Sequence, residues 1–115
     1  MKERVQFRKT LSTFQGLQWM CADMKCAIES AKLLVYRAAM CKQEGKPYTE
    51  EAAMAKLVAA NTAMDVTTKC VQLHGGYGYS REYPIERMMR DAKITEIYEG
   101  TSQVQQMVIS GRIFK

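Results

Sequence analysis

The sequence predicts an all-α, up-and-down helical bundle. Three observations carry that reading: apolar residues at helical spacing over two long stretches, glycine and proline breaks between them, and no alternating strand pattern. The first stretch runs Leu17, Met20, Cys21, Met24, Ala27, Ile28, Ala31, Leu34, Val35 and Ala38. This i, i+3, i+4 spacing is what a long amphipathic helix requires. Ser12 or Thr13 is placed to cap its start, and Gly45 with Pro47 ends it. Trp19 and the methionines read as core or interface filler.

The second long helix starts at Thr49, the candidate N-cap, with Glu50 and Glu51 suited to the positive end of the helix dipole. Its apolar face reads Ala53, Leu57, Ala60, Met64, Thr67 and Val71. The alanines at 52, 53, 55, 59, 60 and 63 favour helix and let a neighbouring helix approach closely. Gly75-Gly76-Tyr77-Gly78 stops this helix, since each glycine costs a helix roughly 1 kcal/mol. Pro84 opens a short helix through Met89, and Asp91–Tyr98 carries no decisive pattern. Gly100 breaks the chain again, and Thr101 or Ser102 caps a last helix bearing Val104, Met107 and Val108. Residues Met1–Phe7 read as the tail of a further helix. The two long helices, joined by a short turn, must run antiparallel.

Bulk properties narrow the function only by exclusion. A chain of 115 residues, 47% hydrophobic, makes one packed domain. No apolar run approaches the ~18 residues of a membrane span, and the start resembles neither a secretory signal nor a transit peptide. Cys21, Cys26, Cys41 and Cys70 include no C-x-x-C pair and there is a single His, so no metal site is expected. Reduced cysteines among apolar residues suit a cytosol-like compartment. The net charge of +5 is spread among acidic residues without a basic cluster, so no nucleic-acid partner is expected.

Two segments have the composition for chemistry. In Gln72-Leu73-His74-Gly75-Gly76-Tyr77-Gly78-Tyr79, adjacent glycines let backbone approach a ligand, though they equally serve to end a helix. No strand precedes them and the spacing is not G-x-G-x-x-G, which excludes a Rossmann site. In Tyr98-Glu99-Gly100-Thr101-Ser102, a carboxylate stands at a helix start. It could be capping chemistry, or a general base once an apolar ligand displaces its water.

These two strings, with Glu82-Tyr83-Pro84, Arg90-Asp91-Ala92-Lys93-Ile94 and Ile97 ahead of the second, resemble in order and spacing the C-terminal signature of acyl-CoA dehydrogenases. The similarity continues upstream through Glu3–Phe7, Leu11-Ser12, Phe14-Gln15 and Leu17-Gln18 to Met24, covering essentially the whole chain. The resemblance implies that 1–115 is the C-terminal helical domain of such an enzyme, without the N-terminal helical and middle β domains that precede it in the family. Alone it would be inactive; a non-catalytic, self-associating bundle is the alternative.

By resemblance, Glu99 is the base that takes the α-proton of an acyl-CoA thioester, while the β-hydrogen passes as hydride to FAD. Gly100 lies beside the substrate, and Thr101 and Gln103 approach the flavin. Arg4 and Gln15 match residues on the phosphates or adenine half of FAD. Gln72, Leu73, His74, Gly75 and Gly76 match a loop holding the dinucleotide of a neighbouring subunit. The family's partners are acyl-CoA, electron-transfer flavoprotein and further copies of the chain. Its location is cytoplasmic, or the mitochondrial matrix in a eukaryote. Three positions depart from the pattern: Arg8 and Thr10 stand where Gly and Pro are usual, and Gln106 where Arg is frequent.

Overall fold

The computed structural model describes all 115 residues. Its elements are a small hairpin, β1 (Val5–Gln6) and β2 (Lys9–Thr10), a 3-10 turn (Leu11–Thr13), and five helices. These are α1 (Gln15–Gln43), α2 (Thr49–His74), α3 (Gly76–Tyr79), α4 (Ile85–Thr95) and α5 (Ser102–Ile113). No helix is long and apolar enough to cross a membrane.

The two long helices form as their spacing requires. At the end of α1, Gly45 adopts φ +68°, and its N–H donates to Lys42 O (3.2 Å) while Lys46 N–H donates to Cys41 O (2.9 Å). That pair of bonds is a Schellman ending, which turns the chain into α2 without stranding carbonyls. Arg37 meets Glu51 at 3.5 Å across the turn. At the helix starts the capping expectation is not met. Phe14 and Tyr48 occupy the N-cap positions and no side chain caps either. Thr13 instead donates to Thr10 O (2.7 Å), and Gln18 Nε2 donates to Ser12 O (2.8 Å).

Alanines make α2 the central element. Ala53, Ala55 and Ala60 are buried, and Ala53 and Ala55 point roughly 200° apart around the helix axis. One side, through Ala59, Thr62 and Ala63, shares a groove with Ile28, Ala31 and Val35 of α1. The other packs on α4 and α5. The bulk of the apolar side chains lies outside this seam. Seven of 115 residues are buried and no large side chain is fully enclosed. Trp19, read above as core or interface filler, is 61% exposed, Leu33 is 68% exposed, and Cys26 lies on the outer surface rather than among apolar neighbours. Cys70 on α2 is partly enclosed beside Cys21, and burial pushes its thiol pKa up.

Three expectations change. Met1–Phe7 is not a helix tail but contributes strand β1, paired antiparallel with Val5 opposite Thr10 and Gln6 opposite Lys9. The two-residue loop, Phe7-Arg8, takes φ +51° and +64°, the sign that a type I′ hairpin turn imposes on both residues. Position 8 is therefore a left-handed site held by an arginine, and Thr10, at φ −67°, already has the angle a proline ring would fix. Second, the glycine segment is not irregular throughout. Gly75 (φ +61°) ends α2 and Gly76–Tyr79 winds one further turn, α3. Third, the short helix from Pro84 does not stop at Met89 but continues through Thr95.

Gly78 seats α3 on α2. A Cβ there would stand 2.6 Å from Val71 O and 2.8 Å from His74 Cβ, closer than atoms tolerate. Gly78→Ala should therefore destabilise the chain by about 1–3 kcal/mol through overpacking, read as a lowered denaturation midpoint. Arg8→Gly should act oppositely, relieving about 1 kcal/mol of left-handed strain and raising the midpoint.

Candidate functional site

Glu99 sits on a bent connection whose backbone is fixed from three directions. Helix α4 closes with Ile97 N–H and Tyr98 N–H both donating to Ile94 O at 3.0 Å. Glu99 then takes φ +53° and Gly100 φ +91°. For a non-glycine residue that conformation costs roughly 1–2 kcal/mol and persists only where surrounding contacts impose it. The contacts are specific. Lys56 Nζ of α2 donates to Gly100 O at 2.6 Å. Gln105 Nε2 of α5 donates to both Glu99 O and Gly100 O at 3.2 Å. Ser102 N–H donates to Glu96 O at 3.0 Å, closing the bend. Thr101 caps α5, its Oγ1 accepting from Val104 N–H at 3.3 Å, as the sequence predicts. Glycine suits position 100, since φ +91° is an angle side chains avoid and a Cβ there would push the Gln105 amide, 2.8 Å away, off its carbonyl partners.

The Glu99 carboxylate is exposed and joins no ion pair or hydrogen bond, so a free acceptor projects from a rigid backbone. Thr101 and Gln103 face a polar hollow of about 350 Å³, lined also by Asn61, Lys93 and Gln106 and not by Glu99. Ser102 Oγ reaches Asn61 Oδ1 at 3.4 Å, tying this hollow too to α2.

The second cluster forms at the opposite end of α2. Arg4 Nη1 donates to His74 O at 3.4 Å, across seventy residues of chain, and packs where a Cβ on Gly75 would be, 2.9 Å away. His74 Nδ1–H donates to Cys70 O at 2.8 Å, which leaves Nε2 as the acceptor. Arg4, Leu73 and His74 line a groove of about 550 Å³ with Met1, Glu3 and two tyrosines. Those rings, Tyr77 and Tyr83, meet edge to face at 5.5 Å. Gln72 is exposed, and its carbonyl accepts from Gly75 N–H at 3.1 Å. Gly76 is exposed at the start of α3, and Gln15, exposed at the start of α1, does not line the groove.

The structure thus gathers Glu99, Gly100, Thr101 and Gln103 at one end, and Arg4, Leu73, His74 and Gly75 at the other. From Lys56 to His74 the helix rises about 27 Å, so within one chain the groups form two sites rather than one. Sequence reasoning missed Lys56, Gln105 and Asn61. For Lys56 a signal existed: it lies three residues after buried Ala53 and four before buried Ala60, a cation on an apolar stripe that needs a partner.

Comparison with known proteins identifies the family and the fold. The family described as acyl-CoA dehydrogenase, C-terminal domain, matches residues 1–114. The short-chain specific acyl-CoA dehydrogenase of Clostridium acetobutylicum is 71% identical over 115 residues, which are 100% of this chain and 30% of that protein. The caffeyl-CoA reductase–Etf complex subunit CarC of Acetobacterium woodii is 54% identical over 99% of this chain and 30% of its own. The structure of butyryl-CoA dehydrogenase from Megasphaera elsdenii superposes with a TM-score of 0.97 at 60% identity, covering 99% of this chain and 30% of that one. The chain spans about 30% of the length of the curated relatives it matches. In sequence and in fold, it belongs to the acyl-CoA dehydrogenase C-terminal domain family.

Proposed function

We propose that this chain is the catalytic-base domain of a flavin-dependent, short-chain acyl-CoA dehydrogenase, acting within the whole enzyme and inactive alone. The observation that carries the reading is Glu99, an unpaired carboxylate on a left-handed residue whose backbone is anchored by Lys56 and Gln105. Strain of this kind collects at functional sites, because only an over-determined surrounding maintains it.

In this reading the Glu99 carboxylate accepts the α-proton of the acyl-CoA thioester. Its backbone N–H donates to the thioester carbonyl and so acidifies the α-carbon. The neighbouring Gly100 lets the acyl chain lie against backbone. A bound flavin supplies the two-electron acceptor for the β-hydride, and the product is the trans-2-enoyl-CoA. Thr101 and Gln103, with a hydroxyl and an amide on the polar hollow, would be the residues that hold the flavin.

The distal cluster has the donor set for the rest of FAD. Arg4 offers a guanidinium for pyrophosphate, Gly75 and Gly76 offer backbone without side chains, and Tyr77 and Tyr83 offer aromatic faces. Leu73 and His74 complete that lining, while Gln15 and Gln72 lie outside the groove and are proposed for FAD on the resemblance alone. The rise of about 27 Å along α2 from Lys56 to His74 supports the two clusters serving cofactors in different copies of the chain, and hence a homo-oligomer. Electron-transfer flavoprotein is the proposed redox partner, and a reducing compartment, cytoplasm or mitochondrial matrix, suits the four free cysteines.

Self-association also stands as a second reading, of the bundle as a non-catalytic assembly module. The exposed row Trp19, Leu33, Tyr36 and Met40 on α1 favours it. Residues 1–115 alone should bind a hydrophobic dye and elute larger than a monomer in size-exclusion chromatography. A dye-negative monomer would remove the apolar-interface argument.

In the whole enzyme, Glu99→Gln should lower kcat for butyryl-CoA-dependent dye reduction by about 10²–10⁴-fold, the range of a general base. Undiminished turnover in that variant would exclude Glu99 as the base.

A further inference from the structure

A long, flexible cation is an odd residue on the inner stripe of an alanine helix, and its single partner defines what it does. Lys56 shares a hollow with Ala59, Ala60 and Ala63 of α2 and with Thr95 and Tyr98, which flank the bend leading to Glu99. Its ammonium makes a 2.6 Å bond to Gly100 O and no salt bridge to any carboxylate. Its strongest interaction is therefore with the backbone of the one residue that follows the strained glutamate. Charge-assisted bonds of this kind are stronger than neutral ones, and a partly enclosed setting strengthens them further.

We infer that Lys56 is the positioning residue of this site: from α2, it holds Gly100 O so that Glu99 stays left-handed and its carboxylate keeps a fixed place. Gln105 is the second clamp, acting from α5 on the carbonyls of residues 99 and 100. The two donors come from different helices, so the packing of α2 against α5 holds the bend in addition to its own Ser102–Glu96 backbone bond. Without the ammonium, only the neutral Gln105 amide and the Ser102–Glu96 backbone bond oppose the return of Glu99 to an ordinary backbone angle. Lys56 touches neither the carboxylate nor any reacting atom, and acts through position alone. The inference rests on the reading of Glu99 as the base.

The test uses Lys56→Met, which keeps the stem and removes the charge, with Lys56→Arg as the conservative variant. In the isolated chain, backbone chemical shifts report the sign of φ at Glu99. Wild type should be left-handed there, and Lys56→Met should lose that signature while Lys56→Arg retains it. In the whole enzyme, Lys56→Met should lower kcat about 10–100-fold, the scale of a misplaced catalytic group, with KM for acyl-CoA changed by less than about threefold. Lys56→Arg should recover most of that loss. A left-handed Glu99 and undiminished kcat in Lys56→Met would overturn the inference.

Glu99→Gln separates the two claims. If that variant is inactive while Lys56→Met is fully active, the base stands and the positioning role falls; if Glu99→Gln is active, the base reading itself falls. Should Lys56→Met not fold, Gln105→Ala takes its place. A lowered kcat with little change in KM would then support the clamp, and wild-type kcat would overturn it.

Discussion

Close approach to α2 is the constraint on which the rest of this structure depends. Alanines on opposite sides of one helix let α1 lie along one flank and α4 with α5 along the other. Small residues make that possible because a helix axis can come nearer to a surface without long side chains. The consequence is a thin interior. With its seam built from alanines, the bundle leaves its bulky apolar residues facing outward, and it is long and narrow at 58 × 26 × 25 Å. Its radius of gyration of 17.5 Å exceeds the about 13 Å expected of a compact chain this size.

The same helix carries an anchor near each end. Lys56 receives the Glu99–Gly100 bend, and the last turn at His74 receives Arg4 from the N-terminal hairpin. Both clusters therefore combine residues distant in sequence, attached to one rigid rod. Loops held on a rigid scaffold are where binding and catalysis concentrate, because the scaffold sets distance while the loop sets direction.

Left-handed non-glycine residues occur at only two places, and they have different origins. Glu99 is held by bonds from two other helices. Phe7 and Arg8 are held by the geometry of a two-residue hairpin, which fixes the sign of φ at both positions whatever residues occupy them. The arginine at position 8 is thus a local cost of this particular sequence, whereas the glutamate at 99 is a feature of the site.

Much of the fold was legible in the sequence because helices declare themselves locally. The spacing from Leu17 to Ala38, the alanine run after Thr49, and the stops at Gly45 and Gly75 fixed α1 and α2 through 3.6-residue periodicity and glycine entropy alone. The order of the signature around Glu99 and His74 fixed the family. The hairpin was not legible: Phe7-Arg8 lacks the glycine or asparagine that marks a type I′ turn, and two-residue strands are too short for an alternating pattern. The capping expectation at Ser12, Thr13 and Thr49 failed because those side chains had other partners, or because the chain entered the helix a residue earlier. What only the tertiary structure decided is the backbone at Glu99 and the residues that impose it. Lys56 and Gln105 reach that bend from elements 43 residues before and 6 residues after Glu99; helical spacing marks Lys56 as a cation on an apolar stripe, but only the packing of the helices says which carbonyl it meets.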